Sequence, residues 1–269
     1  MASQNPSPSV LTSLRARALG LCALPVVALL AVAAFVPLPY TLESPGITAD
    51  TLGQYNGRPV ITITGTQLRQ TSGQLRAVTI SATNPGDRNS FWDSLRAWGD
   101  GKQAVVPTEE VYPQSDPAKA NEVTLQQMTE SQDSATLAAL GYLHLSPDQV
   151  KVTIDLGDIG GPSAGQMLAL GIVDKINGNG EGGDLTGGKT VAGTGTVDPD
   201  GRIGEVGGVP LKTQAAAAAG ATVFLLPRSE CTQGKVNTPA GLQLVPVDTL
   251  ADSIAALGAL NNGGAVPHC

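Results

Sequence analysis

Gly160-Gly161-Pro162-Ser163-Ala164-Gly165, followed at once by Gln166-Met167-Leu168-Ala169-Leu170, is the stretch on which the reading of this chain turns. A Gly- and Pro-rich turn gives way there to a run that opens a buried helix and continues to about Ile176. Pro162 pre-sets φ, the glycines let another backbone pass close, and the first amides of a helix lack intrahelical partners. Two readings fit Ser163. It can be a nucleophile placed where backbone amides and the helix dipole stabilise an oxyanion, or it can be an N-cap.

A nucleophilic serine needs a base, and the chain has two histidines. His144 falls in a turn, Leu143 to Pro147, and His268 is the penultimate residue, so neither position favours a Ser-His-Asp triad. Lysine is the known substitute, but at its ordinary pKa of about 10.4 only about one molecule in a few thousand is neutral at pH 7. Desolvation to a pKa of about 8 would leave roughly a tenth neutral, at a cost of about 3 kcal/mol carried by the fold. Lys212 suits this role. It follows Gly207-Gly208-Val209-Pro210-Leu211 and precedes Thr213-Gln214 and the run Ala215 to Ala219, which puts it in the first turns of a helix with small apolar neighbours. A solvated helix lysine is the plainer alternative.

Read together, GGPSAG and the segment AGTGTVDPDGRIGEVGGVPLK, Ala192 to Lys212, resemble the proteolytic domain of Lon-type Ser-Lys proteases. The resemblance implies an α/β (α+β) proteolytic domain in which Ser163 is the nucleophile and Lys212 the general base. The backbone amides of Ser163 and Ala164 then form the oxyanion hole. Thr194 stands eighteen positions before Lys212, where the family has a threonine that hydrogen-bonds the lysine. Protein or peptide substrates and a homo-oligomeric ring, typically a hexamer, are implied as well. The familiar Lon domains carry an acid three positions before the serine, whereas Gly160 is there and Asp158 is the nearest acid. DIGGPSAG and Met128-Thr129-Glu130-Ser131-Gln132 are closer to the membrane-anchored, extracytoplasmic Lon-like branch of bacteria. That branch commonly carries a PDZ domain after the helix ending near Leu140. Here only 18 residues separate Leu140 from Ile159, too few for such a module.

The chain divides into a cytoplasmic tail (1–17), a signal anchor (18–40), a strand-rich segment (41–115), the Lon-like domain (116–260) and a tail (261–269). Met1 to Ser13 is polar and reads as disordered. Ala18 to Tyr40 is an uncharged run of 23 residues behind Arg15 and Arg17, long enough to cross a bilayer. The positive-inside rule then exports everything after Pro39, giving a single-pass protein of the cell membrane with an extracytoplasmic domain. A cleaved signal peptide competes, because Ala31-Val32-Ala33 resembles a cleavage site. The net charge of −7 makes nucleic acid a poor partner. If the domain is exported, Cys231 and Cys269 can pair, although the sequence does not show that they approach.

Extended runs at Val60 to Thr64 and Leu75 to Ala82 read as strands, and Ser90 to Trp98 as a short helix with Phe91, Leu95 and Trp98 on one face; its two tryptophans suit contact with a membrane surface, and packing of that face against these strands is the plainer alternative. Pro107 to Pro117 is a connector, and Asp116-Pro117 opens a helix with Val123, Leu125, Met128, Ala135 and Leu137 as core candidates. Asp198 to Gly201 is a hairpin turn, Thr222 to Leu226 and Leu242 to Val247 are strands, and Thr249 to Leu257 is the last helix. Gly178 to Gly183 fits GxGxxG, and Gly183 to Thr190 fits the P-loop formula with Lys189. Both lack the strand-loop-helix context that phosphate binding needs, so neither ATP nor any other cofactor or metal is expected, and proteolysis should be independent of ATP. Two alternatives stay open: a non-catalytic exported Lon-fold binding or oligomerisation module, and a signal-peptidase-like Ser-Lys enzyme, whose motif contexts differ from these.

Overall fold

The computed structural model describes residues 9–84, 87–113, 117–157, 159 and 161–269. Helix α1, Ser9–Phe35, holds Pro25 within it and stops two residues before Pro37, whose missing N–H ends a helix readily. It begins four residues before the expected end of the disordered tail. Its stretch Arg17–Ala34 is 18 residues of exposed apolar helix, long enough to cross a membrane and equally compatible with a signal sequence.

Strands β1 (Tyr40–Asp50), β5 (Gln74–Ala82), β6 (Ala104–Pro107), β8 (Thr190–Gly193), β11 (Val223–Pro227) and β12 (Gln243–Val247) form one six-stranded mixed sheet. Its order is β12-β11-β8-β5-β1-β6. The run β5, β8, β11, β12 is parallel, and β1 is antiparallel to both β5 and β6. Parallel neighbours need crossovers, and these are supplied by α5 (Gly165–Ile176), α6 (Val209–Ala218) and the short α7 (Cys231–Gly234). Three two-stranded pairs complete the strands: β2 (Gln54–Tyr55) with β3 (Arg58–Pro59), β4 (Ile61–Thr64) with β7 (Lys151–Ile154), and β9 (Thr196–Val197) with β10 (Ile203–Gly204). The remaining helices are α2 (Phe91–Gly99), α3 (Thr108–Val111), α4 (Pro117–Tyr142) and α8 (Leu250–Asn261).

Period-2 alternation assigns the two faces of the sheet. Leu75, Ala77, Val191, Val223, Leu225, Val245 and Val247 point into a core shared with α5, α4 and α8. Val78, Ala192, Phe224 and Leu226 point the other way, into a second core under α6. The result is a mixed α/β architecture with helices on both sheet faces. Helix α5 is the innermost element: every residue from Gly165 to Asp174 is buried, as expected of a helix that is apolar all round.

Several local expectations change. Strand β6 and helix α3 occupy part of the supposed connector. Val123, Leu125 and Leu137 are 42%, 47% and 44% exposed, because α4 packs through the stripe Met128, Ser131, Ala135, Ala138 and Ala139, and Val123 and Leu137 lie on the opposite side. Phe91, Leu95 and Trp98 are exposed rather than part of the core, although helix α2 itself touches β1 and β6. The C-terminal tail is docked: Val266 is buried, and Cys231 and Cys269 form a disulfide with Cα atoms 5.2 Å apart. The expected tail at Met1 to Pro8, the Asp116 helix opener and the Asp158/Gly160 departure lie outside the described residues.

Candidate active site

Gly161 has φ +91°, a backbone state open to glycine and strained for other residues, and it turns the chain into a single 3-10 turn, Pro162–Ala164. The α-helix begins one residue later than the sequence suggests. Its N-cap is Ala164, with no side-chain cap bond, and Ser163 therefore does not cap the helix. The capping alternative for this serine loses its geometric basis, and among the described residues no hydrogen bond engages its half-buried side chain. Helix α4 braces the turn, since Ser131 Oγ donates to the Pro162 carbonyl at 3.0 Å and the Gly161 N–H donates to the Thr124 carbonyl at 3.4 Å.

Lys212 sits in the first turns of α6, behind Gly208, whose φ of +68° starts that helix. The lysine is 3% exposed. Thr194, fully buried, follows the carboxyl end of β8 and stands between the helices of the two faces, with α5 on one side and α6 on the other. Carboxyl ends of parallel strands are where open α/β sheets place their sites.

A relay joins the three residues. Lys212 Nζ donates to Thr194 Oγ1 at 3.1 Å, and Thr194 Oγ1 donates to the Ser163 carbonyl at 3.2 Å. The Gly195 N–H also donates to that carbonyl at 3.0 Å, and Gly195 in turn accepts from the Gln166 N–H at 3.1 Å. The backbone of Ser163 is thus pinned to the segment that holds the lysine. Among the described residues no hydrogen bond joins Ser163 Oγ directly to Lys212 Nζ.

Burial pushes the Lys212 pKa down to about 8, against the upward pull of Glu230 first and Glu43 second. Both acids are 8% exposed. Burial and neighbouring Glu110 raise the Glu43 carboxyl, while Lys212 lowers it. Glu43, on β1, and Glu230, just past β11, escaped the sequence reading. The available signal for Glu43 was Thr41 and Glu43 alternating with Leu42, which places polar groups on the buried face of a strand.

The other candidates stand apart from this relay. His144, at φ +55°, is exposed beside Tyr142 and Thr66, and His268 is exposed next to the disulfide. Lys189 Nζ donates to the Leu260 carbonyl at 3.2 Å and to Asn261 Oδ1 at 3.3 Å, and strand β8 follows it in place of the helix that a P-loop requires. A cleft of about 600 Å³ lies along α6, lined by Glu43, Glu110, Gly208, Leu211 and Gln214 among others. Compared with protein-family models and with curated proteins, the chain matches neither.

Proposed function

We propose that this chain is a membrane-anchored, ATP-independent serine endopeptidase of Lon-like type, working outside the cytoplasm with a Ser163/Lys212 dyad. The observation that carries the reading is the buried relay from Lys212 through Thr194 to the backbone of Ser163, with the lysine pKa near 8. A structural lysine on a helix surface needs neither the burial nor the lowered pKa, and these are the two properties a lysine base requires.

In the proposed cycle the neutral Lys212 amine removes the Ser163 hydroxyl proton as Oγ attacks a peptide carbonyl. Thr194 takes one amine N–H, which leaves the Nζ lone pair free to accept that proton. Backbone amides of Ser163 and Ala164 receive the negative charge forming on the carbonyl oxygen, assisted by the N-terminal end of α5. The resulting ammonium hands its proton to the departing amine. Water, deprotonated by the same lysine, then hydrolyses the ester and releases Ser163.

The Cys231–Cys269 disulfide supports an oxidising compartment, and α1 supports retention at the membrane. The family likeness also suggests assembly into a ring of identical subunits. One observation favours the competing reading of a non-catalytic exported module, namely the unformed hydrogen bond between Ser163 Oγ and Lys212 Nζ. In the peptidase reading that hydrogen bond tightens when substrate binds, as catalytic hydrogen bonds often do. Hydrolysis of casein by the full chain, compared with Ser163→Ala and Lys212→Ala, separates the two. The peptidase reading requires activity that both substitutions abolish, whereas activity indifferent to both would refute the dyad.

A further inference from the structure

Helix α2 carries its apolar face outward. Phe91, Leu95 and Trp98 fall at i, i+4 and i+7 with Trp92 beside them, and they are 41%, 43%, 81% and 53% exposed. The residue buried against the protein is Ala97, on the opposite side. A soluble amphipathic helix does the reverse and presents its apolar stripe to the core. The helix is nevertheless well built, because Ser90 and Asp93 form a reciprocal capping box at its start.

Its position says what covers that face. Helix α2 touches α1, the apolar helix. The Leu38 N–H, three residues past the end of α1, donates to the Asn89 carbonyl at 2.9 Å, and Asn89 Nδ2 donates to the Tyr40 carbonyl at 2.8 Å. The tyrosine is itself 39% exposed. Tyrosine and tryptophan combine an apolar ring with a polar edge and collect where membrane hydrocarbon meets water. Charges around the helix balance, with Arg88, Arg96 and Lys102 set against Asp87, Asp93 and Asp100. The recognition is therefore apolar and does not depend on anionic lipid.

We propose that α2 lies in the headgroup region of the bilayer that α1 crosses, with Phe91, Trp92, Leu95, Trp98 and Tyr40 forming an aromatic footing that holds the domain against the membrane surface. This rests on the reading of α1 as a retained span. Such a footing fixes the orientation of the domain, which a single flexible tether cannot do.

Trp92 and Trp98 are the two tryptophans of the chain, so its tryptophan emission reports on α2 alone. The test is to reconstitute the full chain in phosphatidylcholine vesicles and compare quenching by three agents: lipid doxyl-labelled near the glycerol end of its acyl chain, lipid labelled near the methyl end, and aqueous iodide. A helix ~5–10 Å into the headgroup boundary predicts about twofold quenching by the shallow label, less by the deep one, and little by iodide. Emission open to iodide and indifferent to either lipid label would overturn the proposal. Emission closed to all three would overturn it too, since it would mark a face covered by a second copy of the chain. Extraction with alkaline carbonate separates this from the span reading. A chain released from the vesicles defeats both, whereas a retained chain with iodide-open tryptophans keeps the span and defeats the footing.

Discussion

If Lys212 is the base, the rate must follow the fraction of lysine that is neutral. With a pKa of about 8, that fraction is roughly a tenth at pH 7, a half at pH 8 and nine-tenths at pH 9. The kcat/KM for a peptide substrate should therefore rise about fivefold from pH 7 to 8 and only about twofold more by pH 9. A lysine at its ordinary value would give a tenfold rise per pH unit across the whole range, and a histidine base would level off before pH 8. The neighbouring acids supply an internal control. Glu43 and Glu230 both raise the Lys212 pKa, so Glu43→Gln should move the midpoint to lower pH without removing the dependence. The same burial is a stability term. The folded value lies below the unfolded 10.5, so a destabilisation of about 3 kcal/mol is fully present below pH 8 and gone above pH 10.5. Unfolding free energy should rise with pH across that window, and Lys212→Met should flatten the rise. A pH–rate profile centred near 6.5, or one unchanged by Glu43→Gln, would refute the assignment.

Substitutions at three other positions probe the framework. Thr194→Val removes the relay hydroxyl and leaves Lys212 Nζ and the Ser163 carbonyl each short of a partner, so kcat should fall on the order of 10²-fold while Thr194→Ser retains most activity; steady-state kinetics on both variants decides it. Asp174, fully buried, has its carboxyl raised to about 6, chiefly by burial. Its folded value exceeds the unfolded one, so its destabilisation is absent below about pH 4 and complete above pH 6; Asp174→Asn should stabilise by up to about 3 kcal/mol in urea melts at pH 7 and by little at pH 4. Cys269→Ser opens a disulfide spanning a sequence separation of 38, and the chain-entropy model puts the loss at about 4 kcal/mol, readable as a lower Tm that reductant no longer changes.

Local company pointed to Lys212, whereas its links to Thr194 and on to Ser163 span 18 and 31 positions and show in no local pattern. Lys212 lies among Gly, Pro and Ala residues that cannot shield it by charge, and its burial follows from that company. Sequence could not settle whether Ser163 caps the helix, since a serine before a helix reads as a cap until the 3-10 turn puts Ala164 in that place. Long-range pairing was also hidden. Nothing in the alternation of Leu75 to Ala82 says that it lies parallel to Thr190–Gly193, more than a hundred residues on, and so strands from residues 41–115 share a sheet with strands after 190. Helix α2 shows the limit of periodicity. The pattern identifies an apolar face on Phe91, Leu95 and Trp98 but not which way it turns, and the usual assumption that it faces the core fails there. Similarly, residue type alone places Val123 and Leu137 in the core, although α4 uses its smaller residues for close packing against α5.

The claim on which the account depends is that Ser163 is a nucleophile made reactive by Lys212. The most direct measurement is intact mass and peptide mapping of the full chain after exposure to an activated peptide ester. A reactive Ser163 should take up one acyl group, absent in Ser163→Ala and formed far more slowly in Lys212→Met. Acylation elsewhere, or at Ser163 with unchanged speed in Lys212→Met, would contradict it.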